Sequence, residues 1–190
     1  ALLDADCAQA KSVRETLEPV ERLHAELDVR AVDLIARQQP VARDLRTIVA
    51  VLRMNVDLER MGVLTRHLAE IAQARQPRCA VPDALREQVH RMSHVACRLT
   101  AEACAVIEAG DDAVMAETMD AEDDEMDRLQ IEVYKRLLAA VNGFEPGEAM
   151  DMALIARYYE RLADHAVSLA RLMSFRAGRA PLDPLPASAD

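Results

Sequence analysis

At 190 residues, 51% hydrophobic but only 3% aromatic and with five glycines, the chain is sized for one domain or two small ones, and its make-up favours helix. Its net charge of −10 argues against a nucleic-acid backbone or an anionic membrane surface as the main partner, and is compatible with cations or with a basic face on another protein. No apolar run approaches the roughly 20 residues of a membrane span, and no secretory signal is visible.

Apolar residues recur at three- and four-residue steps along the chain, and strand-like alternation does not persist. The spacing predicts a first helix over 6–36, with Pro19 inside it and a kink near Leu17. Gln38-Gln39-Pro40 breaks it. A second helix is predicted over 42–74, with Ile48, Leu52, Val56, Leu64 and Leu68 among its apolar positions. QPRCAVP (76–82), with two prolines, reads as the internal linker. Three more helices follow over 83–108, 112–141 and 148–176. Gly110-Asp111 and Asn142-Gly143 supply the breaks, with Gly143 read as a left-handed cap. The tail from 178 to 190 reads as disordered. None of the four cysteines (Cys7, Cys79, Cys97, Cys104) has CxxC spacing, and Cys97 and Cys104, seven apart, read as small packing side chains. A reducing cytoplasm is the simplest compartment for them.

The chain repeats itself. LEPVERLHAE (17–26) lies over DDEMDRLQIE (123–132), so that Glu21 falls on Asp127 and Leu17 on Asp123. DLERMGVLTRHLA (57–69) lies over YYERLADHAVSLA (158–170), so that Glu59 falls on Glu160 and Val63 on Asp164. Two helices matched in the same order argue for tandem duplication of a helical unit. The fold expected is all-α: a first unit over 1–76 with two helices, a second over 83–177 with three, and the tail over 178–190. By this symmetry a helix leading the first unit is missing before Ala1.

Asp123 and Asp127 are four apart and share a helix face, as do Glu160 and Asp164. On the wheel the first pair flanks an apolar stripe through Met115, Met119, Met126, Leu129, Val133 and Leu137, and Ile155, Leu162 and Leu169 point inward near Glu160. Adjacent antiparallel helices would bring the four carboxylates to one surface. Four anions held together resist full ionisation unless something positive joins them, and hard metal ions bound through oxygen are one answer. The competing reading is a solvated acidic face with Arg128, Arg157 and Arg161 pairing the acids. The first unit keeps only Glu21 and Glu59, one carboxylate per helix, and is expected to lack a complete site.

Other constellations carry less. Glu21-x-x-His24 and Glu87-x-x-His90 resemble the motifs of ferritin-like di-iron carboxylate proteins, with Glu59 and Glu160 as the remaining ligands, but the tandem symmetry does not bring the two together. His90 and His94 lack the glutamate of the zinc-protease motif and read as surface or interhelical histidines. His165 reads as a polar flank of the acidic face. No Gly-rich phosphate loop and no nucleophile–histidine spacing is present.

ARQQPVARDLRTIVAVLRMNVDLERMG (36–62), EDDEMDRL (122–129) and ARYYERLADHAVSLA (156–170) resemble the PhoU proteins, in the family's order, with Ala- and Arg-rich spelling similar to the actinobacterial branch. The resemblance implies two tandem three-helix bundles and no enzymatic activity. It implies negative regulation of phosphate uptake and of phosphate-starvation signalling in the cytoplasm, through contact with the phosphate transporter's ATPase subunit and a sensor histidine kinase, and it leaves room for a homodimer. Attachment to the membrane would run through those partners. The family's E(D)xxxD motif implies metal (iron, zinc, manganese or magnesium) at Asp123, Asp127, Glu160 and Asp164, and carries over only halfway to Glu21 and Glu59. A metal-free helical adaptor is the plainer alternative.

Overall fold

The computed structural model describes residues 1–110, 113–139 and 143–182, the side chains of Cys7 and of residues 113–118 excepted. Five α-helices run in order: α1 (Cys7–Gln38), α2 (Ala42–Ala74), α3 (Arg86–Ala109), α4 (Ala113–Ala139) and α5 (Pro146–Arg176), with a 3₁₀ turn, Asp83–Leu85, ahead of α3. No strand occurs among the described residues.

The ends of the helices follow local chemistry. Asp6 caps α1, its carboxylate accepting from the Gln9 N–H at 2.9 Å. The helix continues through Pro19 to Gln38, so the expected kink does not interrupt it. Gln39 closes it in a left-handed conformation, its N–H returning to the Ile35 carbonyl at 3.2 Å. Gly110 does the same for α3 at φ 76°, a region that costs an L side chain strain. Pro146 belongs to the first turn of α5, where its missing N–H costs nothing, and Glu145 with Glu148 forms a capping box ahead of it. Gly143 is an exposed turn residue next to residues 140–142, which lie outside the described residues, as do residues 183–190, on which most of the tail reading falls.

In the second unit α3, α4 and α5 all pack on one another, while α1 packs on α2. The two units meet through the long α2–α5 contact and share one continuous core, from Met54, Leu64 and Leu68 on α2 to Met119 and Met126 on α4 and Ile155 and Leu169 on α5. Val56, expected inside, is exposed. The segment 76–82 is more than a linker: Ala80 and Val81 are buried with Leu85, and the Cys79 thiol donates to the Leu3 carbonyl. Cys97 and Cys104 are exposed, so the packing role read for them is wrong: seven-residue spacing puts two residues on one face but does not say which face meets the core.

Polar contacts seat α2 against α5. Asp57 accepts from Ser168 Oγ at 2.8 Å and pairs with His165 Nδ1 at 3.0 Å, while His67 lies against Tyr158 with ring centroids 5.2 Å apart. In the sequence repeat Asp57 corresponds to Tyr158 and His67 to Ser168. Asp57–Ser168 and His67–Tyr158 are therefore the same contact seen from the two sides of a pseudo-two-fold axis, with α2 and α5 antiparallel across it. Within the first unit, buried Asn55 donates to the His24 carbonyl at 3.0 Å and to Asp28 Oδ1 at 2.8 Å.

Candidate metal centre

Helical phase splits the acidic run of α4 between two neighbours. Glu122 and Glu125 face α3, where Arg98 lies 3.4 Å from Glu122 and Arg91 lies 3.0 Å from Glu125. Asp123 and Asp127 turn the other way, toward α5. Met119, Met126, Leu129 and Val133 are buried and fix that orientation. Met115 belongs to the stripe by spacing, but its side chain lies outside the described residues. On α5, buried Ile155, Leu162 and Leu169 occupy the face opposite Glu160 and Asp164, not the flank of Glu160 as expected, and leave both acids within reach of the Asp127 charge on α4.

The four acids expected to meet do meet electrostatically. The Asp127 charge acts on Asp123, Glu160 and Asp164, and the Asp164 charge acts on Asp123 and Glu160. Burial, then Asp164 and Asp127, push the half-buried Asp123 carboxyl up to about 6 against the pull of Arg171. Burial followed by Asp164 raises Glu160, which is only 8% exposed. Asp164 keeps an open edge to solvent, yet protein atoms crowd its carboxylate, and that crowding with the Asp127 charge raises it too.

Cations partly answer this repulsion from the rim. Arg157 Nη1 donates to both Glu160 oxygens at 2.6 Å, and Arg171 pairs with Asp120 at 3.0 Å. Arg128, expected to pair an acid, instead donates from Nε to the Asp124 carbonyl at 2.9 Å. His165 is no flank of this surface. It is buried and bound to Asp57, though its proximity still favours the Asp164 anion.

The donor chemistry suits a hard cation: oxygen donors only, raised carboxyls, and like charges that a metal would relieve. Among the described residues, however, no three His, Cys, Asp or Glu side chains stand as a ready-made ligand set. A metal here would have to draw Asp123, Asp127, Asp164 and Glu160 inward and displace Arg157 from Glu160.

The first unit meets the same problem with fewer acids. Glu21, His24, Glu59, Val63 and Arg66 line one groove between α1 and α2. Arg66 donates to Glu21, and His24 Nε2 lies 3.7 Å from Glu59. Leu17 and Val63 stand where the second unit has Asp123 and Asp164. Glu21 and Glu59 thus face a common groove but carry half the charge, and Arg66 counters that of Glu21. The two Glu-x-x-His motifs are not brought together: His24 faces α2, whereas Glu87 and His90 are exposed on α3, which packs on α4 and α5. Sequence reasoning missed the Asp57–His165–Ser168 contact. Its one available signal was the phase of His165, which follows Leu162 and precedes Leu169 on the inward face.

A family model described as the PhoU domain matches residues 1–72 and 89–173 of this chain. The phosphate-specific transport system accessory protein PhoU homolog 2 of Mycobacterium tuberculosis is 38% identical over 177 residues, covering 93% of this chain and 83% of that protein. PhoU homolog 1 of Mycobacterium leprae is 35% identical over 177 residues, covering 93% and 79%. The crystal structure of PhoU from Pseudomonas aeruginosa superposes with a TM-score of 0.83 at 25% identity, covering 94% of this chain and 86% of that one. The phosphate transport system regulatory protein PhoU from Streptococcus pneumoniae, at 17% identity and a TM-score of 0.80 over 95% and 84%, shares the fold.

Proposed function

Because the chain belongs to the PhoU family, with both helical units matched, we propose that it is a negative regulator of phosphate uptake and of phosphate-starvation signalling. It acts by contact and not by catalysis, joining the phosphate transporter's ATPase subunit to a sensor histidine kinase in the cytoplasm. The observation that carries this reading is the family match across both units, to relatives named as accessory proteins of phosphate-specific transport.

The physical form supports it. Long helices locked by α2–α5 give rigid faces, and the first unit exposes Leu23, Val29, Val32 and Val41, apolar area suited to a partner or to a second copy of this chain. No helix among the described residues is long and apolar enough to cross a membrane; in this reading attachment to the membrane runs through the partners. On the second unit, Asp123, Asp127, Glu160 and Asp164 bind a hard di- or trivalent cation that stiffens the α4–α5 face. The test is affinity capture from phosphate-replete cells: recovery of the transporter ATPase or the histidine kinase supports the reading, and recovery of neither from membrane-solubilised lysate contradicts it. If capture survives chelation and carboxylate substitution, the regulator works as a metal-free adaptor.

A further inference from the structure

The acid cluster leaves unexplained a second group of metal-ligating side chains, on the outer face of α3. Val89, Met92, Val95, Ala96 and Leu99 turn the inner face of α3 into the core. At about 100° per residue, that phase sends His90 and His94 directly away from the core. Both are exposed, and their ring centroids lie 4.8 Å apart with the planes tilted by 58°.

That centroid spacing lies within the range that two imidazoles sharing one cation adopt. A metal–nitrogen bond of about 2.1 Å, extended by about 1.1 Å to the ring centre, puts two centroids about 4.5 Å apart for a right-angle pair and about 5.2 Å for a tetrahedral one. The observed 4.8 Å falls between them. The helix is held by core packing along its opposite face, so it pays little ordering entropy to present the pair. Open solvent on this face lets water complete the coordination shell, consistent with the lack of a ready-made set of three protein donors among the described residues. Glu87 and Cys97 lie one turn to either side on the same exposed stripe.

We infer that His90 and His94 form a two-imidazole chelating site for a late first-row divalent transition cation such as Cu²⁺, Ni²⁺ or Zn²⁺. The site is separate from the carboxylates of α4 and α5 and opposite in preference: nitrogen donors favour these cations, whereas a cluster of oxygens favours harder ones. Helix pairs at i and i+4 are the spacing by which two histidines reach one zinc ion on a helix face.

Copper supplies the probe. Cu²⁺ is titrated by calorimetry, and its nitrogen hyperfine pattern is read by electron paramagnetic resonance, for the full chain and for three variants: His90→Ala, His94→Ala and Asp127→Ala/Asp164→Ala. The wild type is expected to hold one Cu²⁺ at its tightest site on two coordinated nitrogens. Either histidine substitution is expected to weaken binding at least tenfold and leave one nitrogen, with the helical circular dichroism unchanged because both side chains are exposed. The carboxylate variant is expected to keep the two-nitrogen signal. An all-oxygen signal in the wild type, a nitrogen count unmoved by His90→Ala, or loss of the two-nitrogen signal in the carboxylate variant overturns the inference.

Discussion

Replacing Asp123 by asparagine tests whether the four acids strain the metal-free protein. The carboxyl moves from an ordinary 3.8 to about 6 on folding. At about 1.4 kcal/mol per tenfold, that is at most about 3 kcal/mol, and partial solvent access reduces it to about 1–2 kcal/mol. The sign follows from proton uptake. Between pH 4 and 6 the folded chain holds a proton on Asp123 that the unfolded chain has released, so stability falls as pH rises through this window. Above it the charged carboxylate remains a cost. Asp123→Asn removes that cost, so in buffer containing a chelator the variant should be more stable than wild type by about 1–2 kcal/mol at pH 7.5, raising Tm by about 3–6 °C. Near pH 4 the two should converge. Urea denaturation at constant ionic strength, at pH 4, 5, 6 and 7.5, measures the difference directly. A variant equal to or weaker than wild type at pH 7.5, or an offset independent of pH, refutes the reasoning.

Three further outcomes are expected. Asp57→Ala leaves His165 and Ser168 without their partner at the α2–α5 contact and should cost about 2–3 kcal/mol, read as a lower urea midpoint. Met126→Ala opens a cavity at a position with 0% exposure and should cost about 2–5 kcal/mol by the same measurement. Leu17→Asp/Val63→Asp restores to the groove of Glu21 and Glu59 the two carboxylates that the second unit has; calorimetry with Mn²⁺ should show an added binding equivalent, and an unchanged stoichiometry would count against the equivalence of the two units.

Much of this architecture was legible because the sequence marks its own breaks. Pro40, Gly110 and the two prolines of 76–82 bound the helices, and the α2 limits agree with the spacing residue for residue. The expected helix over 148–176 begins two residues after Pro146, whereas α5 begins at it, because a proline breaks a helix interior but suits a first turn. The acid cluster was legible because the repeat set Asp123 against Leu17 and Asp164 against Val63. Its electrostatic state was not, since the raised carboxyls come from crowding by other helices. The Asp57–His165–Ser168 contact was illegible for a related reason. Its members lie 108 and 111 positions apart, and the repeat aligns Asp57 with Tyr158 and not with Ser168. Only the pseudo-two-fold packing of α2 on α5 pairs them.

The central claim is that Asp123, Asp127, Glu160 and Asp164 form one cation site on the second unit. Its most direct measurement is elemental analysis with calorimetry on the wild type beside Asp127→Ala/Asp164→Ala, which removes the charge acting on the other three acids and its neighbour on α5. The account predicts bound hard cation in the wild type and its loss from the double variant. Equal metal content in the two proteins would contradict it.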